Sequence, residues 1–167
     1  SPGLPITYAV YPGDLVTLDG DTVLLSEYEG LIQLESLAHI RISGFRVVNA
    51  RSTANNFGIA VDGSSFITID HNVTSNTASS GIIVWGSSNV IIEHNEIELA
   101  CNAGAASANE CLTVGETDTF EIRHNWVHDG NPVRGEGIDA KDGSTNGLVW
   151  GNRVERVQFV GIYVDAW

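Results

Sequence analysis

The sequence predicts an all-β solenoid of stacked parallel strands. Three observations carry the prediction: a repeat of about 27 residues, apolar alternation within it, and turn residues at its breaks. Apolar pairs two residues apart recur at Ile32/Leu34, Ile59/Val61, Ile82/Val84, Leu112/Val114, Ile138/Ala140 and Ile162/Val164. A second ladder follows these pairs after a short Gly/Ser/Asn-rich break: Ile40/Ile42, Ile67/Ile69, Val90/Ile92, Phe120/Ile122 and the weaker Gly147/Val149.

Period-two alternation makes one face of each strand apolar, and a unit this short cannot close its own core. Stacking closes it, each strand pairing in parallel with its copy in the next coil ~4.8 Å away. Six copies of the first ladder predict about six coils, and no window carries a helical period. Copies are spaced unevenly, by 23 to 30 residues, which maps to loops; the longest interval, Val84 to Val114, holds an insertion around Cys101 to Glu110.

Three residues past the second apolar position of the second ladder stand Asn72, Asn95, Asn125 and Asn152, with Phe45 in the first copy. Asn tolerates left-handed backbone and bonds local main chain, so a column of Asn at one corner satisfies turn groups coil after coil. His71, His94 and His124 precede these Asn. Repeats multiply any local solution, so this column reads as structural stacking rather than a metal site. His39 and His128 lie off it. The turns in "IDHNVTSN", "IEHNEIEL", "IRHNWVHD" and "VWGNRVER" resemble the right-handed parallel β-helix repeats of the pectate-lyase-like superfamily, over roughly residues 30–167. That resemblance implies a right-handed parallel β-helix. Such helices occur in lyases, hydrolases, epimerases, phage tailspikes and non-catalytic binding proteins.

Length suits a single domain over 1–167. Lys plus Arg number 8 against 21 Asp plus Glu, and the net charge of -13 repels phosphate backbones and anionic lipid, so nucleic acid and membrane are not expected partners. No stretch approaches the ~20 apolar residues of a spanning helix. With no Met and no leader at Ser1-Pro2-Gly3, the chain is expected to be a processed product or part of something longer. It stops one strand into a new coil. That end is expected to be open, and either continued by further chain or covered by end-to-end association through Ile162, Val164 and Trp167.

Residues between and just beyond the apolar pairs point outward and write columns on one face, with charge densest in "GEGIDAKDGS". The resemblance implies a secreted, Ca²⁺-dependent polysaccharide lyase acting on uronate polymers by β-elimination. Glu116, Glu136, Asp139 and Asp142 would supply hard oxygens to Ca²⁺, and Lys141 would remove the C5 proton, its pKa pushed down by the cation. Trp85 and Tyr163 are candidate sugar platforms on that face, with Arg134 a third substrate contact; Trp126 and Trp150 are further outward aromatics. The alternative is a non-catalytic carbohydrate-binding or structural β-helix, in which Lys141 and Asp165 form an exposed ion pair. Cys101 and Cys111 are expected to form a disulfide across the insertion, and hence to mark an oxidising, extracellular setting.

Overall fold

The structure, a computed structural model, describes residues 4–104, 110–130 and 136–165. In chain order the strands are β1 (Ile6–Ala9), β2 (Thr17–Asp19), β3 (Gly30–Glu35), β4 (Ala38–Ser43), β5 (Arg46–Val48), β6 (Phe57–Asp62), β7 (Ser65–Asp70), β8 (Val73–Ser75), β9 (Ile82–Trp85), β10 (Ser88–Glu93), β11 (Glu96–Glu98), β12 (Leu112–Gly115), β13 (Asp118–Arg123), β14 (Trp126–His128), β15 (Ile138–Lys141), β16 (Thr145–Trp150), β17 (Arg153–Glu155) and β18 (Ile162–Asp165). Among the described residues there is no helix. Every third strand belongs to one sheet: β1 through β16 form sheet I, β2 through β17 sheet II and β3 through β18 sheet III, six strands in each. All pairings within them are parallel. The expected parallel β-helix is therefore the observed architecture. Counting ladder copies gave about six coils; the first and last of six rungs stand about five turns apart.

The first apolar ladder is sheet III, where Ile59 pairs with Ile32 and Ile82. The second is sheet I, where Ile67 pairs with Ile40 and Val90. Their inward side chains fill the core, and Ile59, Ile67, Ile82, Ile92, Leu112, Ile122 and Ile138 are fully buried. The ladders were expected to be buried throughout, which fails at the last rung. Ile162 and Val164 are 51% and 71% exposed, because no described rung stacks beyond β18. Sheet II was not anticipated. Its strands are three residues long, and each sends one side chain inward: Leu18, Val47, Thr74, Ile97, Val127 and Val154.

From sheet I to sheet II the corner holds two residues in every coil after the first. Left-handed backbone falls on the first of them, Gly44, His71, His94, His124 or Gly151. The sequence reading put that conformation on the Asn. Instead each Asn turns its amide inward. Asn95 Nδ2 donates to Ile69 O at 2.9 Å and to Asn125 Oδ1 at 3.0 Å, while its Oδ1 accepts from Asn72 N at 2.9 Å. Asn72, Asn125 and Asn152 repeat the pattern toward Ile42, Ile92 and Ile122. The His rings stack outside this ladder, 5.1 Å apart from His71 to His94 and from His94 to His124.

The corner from sheet III to sheet I is as tight. Ser36, Gly63, Gly86, Glu116 and Asp142 take the left-handed position, and hydroxyls form a second ladder beside them. Ser64 Oγ accepts from Leu37 N, Ser87 Oγ from Ser64 N, Thr117 Oγ1 from Ser87 N and Ser144 Oγ from Thr117 N, at 3.0 to 3.3 Å. The corner from sheet II to sheet III varies widely, with 6 to 13 residues between strands.

The expected disulfide is replaced by two thiols. Cys101 and Cys111 are both buried, and the Cys101 thiol, hydrogen-bonded to Cys111 and shut from water, is pushed well above its ordinary pKa. The insertion is already fastened by Cys101 N to Ser79 O and Cys111 N to Glu136 O, both 2.8 Å.

If the inward amides carry the corner, Asn95→Ala leaves Ile69 O, Asn72 N and the Asn125 amide short of partners and destabilises by about 3 kcal/mol. His94→Ala, on the exposed stack, changes stability by under about 0.5 kcal/mol. Urea unfolding of both variants checks the contrast, and equal losses would contradict it.

Candidate functional site

Two outward columns run up sheet III. One is Gln33, Ala60, Ile83, Thr113, Asp139 and Tyr163; the other is Glu35, Asp62, Trp85, Gly115, Lys141 and Asp165. A groove of about 390 Å³ lies across them, walled by Tyr28, Asp62, Trp85 and Lys141 over a floor that includes Gln33 and Ala60. Parallel register brings these residues together from widely separated repeats. Each column position is fixed by the apolar pair beneath it.

Ile138 is buried and Asp139 points away from the core, as the alternation requires. Asp139 was nevertheless expected to be exposed, and it is 1% exposed. Glu110 and Lys141 close over it. Lys141 Nζ donates to Glu110 Oε1 at 2.9 Å and sits 3.9 Å from Asp139 Oδ2. Glu110 Oε2 accepts from Thr113 Oγ1 at 3.0 Å, and Thr113 Oγ1 lies 3.0 Å from Ser80 Oγ. Asp139 Oδ1, in contrast, has no partner among the described residues. Burial pushes the Asp139 carboxyl up to about 7, helped by the charge of Glu110 and opposed by that of Lys141. For Lys141 burial works downward, but the bond to Glu110 and the charges of Glu110, Asp139 and Asp142 outweigh it and hold the amine above its ordinary value.

Glu110 was missed because it ends the insertion and belongs to neither ladder. Its one signal in the sequence is an acidic residue immediately before Cys111 and the start of β12.

The four expected calcium ligands do not converge. Glu136 precedes β15 and Asp142 follows it, at opposite ends of the strand. Glu116 and Asp142 sit exposed on neighbouring turn tips, Glu116 N donating to Asp142 O at 3.1 Å. Among the described residues no three His, Cys, Asp or Glu side chains are placed to hold a metal. Glu110 and Asp139 share the Lys141 ammonium, 2.9 Å and 3.9 Å away, where a cation would have to stand. These residues do not fit Ca²⁺, which needs six to eight oxygens.

Trp85 is half-buried in the groove wall and Tyr163 is 42% exposed one rung beyond Asp139. Trp126 and Trp150 are on other faces. Trp126, on sheet II, stacks on His128 at 3.9 Å, and Trp150, on sheet I, meets His124 edge-on. Arg134 lies outside the described residues.

Residues 19–167 match the family described as the right-handed beta helix region. A crystal structure of a candidate glycosyl hydrolase from Parabacteroides merdae ATCC 43184 resembles the chain with a TM-score of 0.52 at 12% identity, over 95% of this chain and 73% of that one. At that identity the likeness is one of fold. No curated protein matches the sequence.

The raised Asp139 pKa makes stability depend on pH. The native state keeps a proton that the unfolded chain releases near its ordinary 3.8, so the contribution is complete below that pH and is lost as pH rises through about 7. Relative to Asp139→Asn, the wild type should lose several degrees of Tm between these limits, about 2–4 °C for each kcal/mol. Parallel melting curves of the two proteins across that pH range would show instead a constant gap if Asp139 were ionised throughout.

Proposed function

The chain belongs to the right-handed β-helix family, and on that premise we propose that it acts on carbohydrate along the outer face of sheet III. The observation that carries this reading is the groove itself, walled by Trp85 and Tyr28 and ending at Lys141, behind which stand Glu110 and Asp139. Aromatic walls suit the apolar faces of sugar rings. Two carboxyl groups in unlike environments suit the division of labour in glycosidic cleavage.

In that reaction Asp139, protonated near neutral pH, gives its proton to the glycosidic oxygen as the bond to the anomeric carbon breaks. Glu110 takes a proton from the water that adds to that carbon, and proton exchange with solvent restores both groups. In the closed site a 2.9 Å bond to Lys141 holds Glu110 over Asp139, and both side chains swing aside to admit substrate. Elimination from a uronate is the poorer fit, because it needs an uncharged amine and Lys141 is held charged by its acidic neighbours. A polymeric glycan substrate would place the action outside the cell.

Binding without turnover is a second reading. It is favoured by the 1% exposure of Asp139, which a substrate reaches only when the Lys141 and Glu110 side chains move aside.

A panel of neutral glucans, xylan and polygalacturonate, assayed for both new reducing ends and ultraviolet-absorbing unsaturated ends, separates these readings. Hydrolysis yields the first without the second, and Asp139→Asn then lowers kcat by roughly 100-fold or more with no loss of Tm. Unsaturated products would move the assignment to elimination. Glycan binding with neither product would leave a binding protein.

A further inference from the structure

We infer that Gly115 is a positioning residue: its missing side chain opens the slot in which the Trp85 indole lies along the groove, making it a platform for one neutral pyranose ring between Asp62 and Lys141. This rests on the carbohydrate reading above and adds to it a ring-binding subsite and a class of sugar.

Within its column Gly115 is the only position without a side chain, standing between Trp85 on β9 and Lys141 on β15. A Cβ placed on it would fall within 2.8 Å of three indole carbons, Cε3, Cζ3 and Cη2. The ring therefore crosses from its own rung to the next and rests on the Gly115 backbone. Backbone conformation does not demand glycine here. Gly63 and Gly86 hold the left-handed positions nearby, at φ of 54° and 56°, and Gly115 does not. What demands it is the indole above.

An aromatic ring backed by main chain on one side and open to the groove on the other is a stacking surface for a sugar. Exposed Asp62 one rung before Trp85 and Lys141 two rungs after it flank the ring with groups that bond hydroxyls. Charge selects the sugar. Asp62 repels a uronate carboxylate, the charge of Lys141 is already balanced by Glu110 while its remaining donors stay free for hydroxyls, and the chain carries a net charge of -13. A neutral hexose or pentose ring meets none of that opposition.

The test uses the whole chain with cellotetraose and xylotetraose as neutral probes and tetragalacturonate as the charged one, titrated by calorimetry into wild type, Gly115→Ala, Trp85→Ala and the double variant. Gly115→Ala should keep Tm within about 2 °C, since only the far end of one side chain must move. It should shift the Trp85 indole N–H resonance in the absence of sugar, and weaken neutral tetrasaccharide binding by about tenfold or more, as should Trp85→Ala. The double variant should bind no worse than Trp85→Ala alone, because Gly115 acts only through the indole. Neutral binding undiminished in Gly115→Ala, or full additivity in the double variant, would overturn the proposal and leave the carbohydrate reading standing. Preference for tetragalacturonate would overturn the choice of sugar. A wild type that binds none of the three would sink the platform together with that reading, even if the indole resonance moved.

Discussion

The inward amide at the corner between sheets I and II is the constraint on which the rest depends. Parallel strands can slide past one another at modest cost if only apolar side chains define their match, because Ile and Val fill each other's places readily. An amide that must meet one carbonyl in the preceding strand, one backbone N–H and one further amide cannot slide. Asn72, Asn95, Asn125 and Asn152 make those bonds in a buried setting, where an unmet polar group costs about 1–3 kcal/mol. Fixing this corner fixes sheet I and, through two-residue turns, the start of sheet II. The hydroxyl ladder of Ser64, Ser87, Thr117 and Ser144 does the same from sheet III back to sheet I.

Once register is locked, the surface follows by addition. Residues more than fifty positions apart, such as Trp85 and Lys141, become near neighbours because each sits directly above a locked apolar partner. The chemistry of the cluster is then decided by what closes over it. A carboxyl at Asp139 in open water would be an ordinary acid. Covered by Glu110 and Lys141, with one oxygen unpartnered among the described residues, it holds its proton to about pH 7.

Legibility in the sequence tracks how many residues share a rule. Sheets I and III show alternating inward pairs repeated copy after copy, so Ile59, Ile67, Ile82 and Ile138 were readable as core, and Trp85, Lys141 and Tyr163 as sharing one face. Sheet II offers one inward residue per strand, as varied as Val47, Thr74 and Ile97, and a single residue has no period. The Asn column was legible as one that satisfies main-chain groups coil after coil, but the left-handed backbone was placed on the Asn rather than on the residue before it, since the pattern shows a column without showing which way its side chains turn. Burial of Asp139 and the state of Lys141 depend on Glu110, an unrepeated residue outside both ladders, and no periodic argument reaches it. Gly115 carries no signal of its own in the sequence; its meaning needs the indole that lies over it.

The unequal corners divide the molecule into two kinds of sequence space. Two corners admit two or three residues per coil after the first and are stitched by side-chain ladders, so an insertion there breaks bonds in both neighbouring rungs. The third accepts anything from 6 to 13 residues while the strands on either side keep their partners. That elastic corner feeds directly into sheet III, and it is where Glu110 enters the site. New groups can thus be delivered to the groove by lengthening a single kind of loop, with the core and its ladders unaltered, so that what the face recognises can be rewritten independently of what keeps the chain folded.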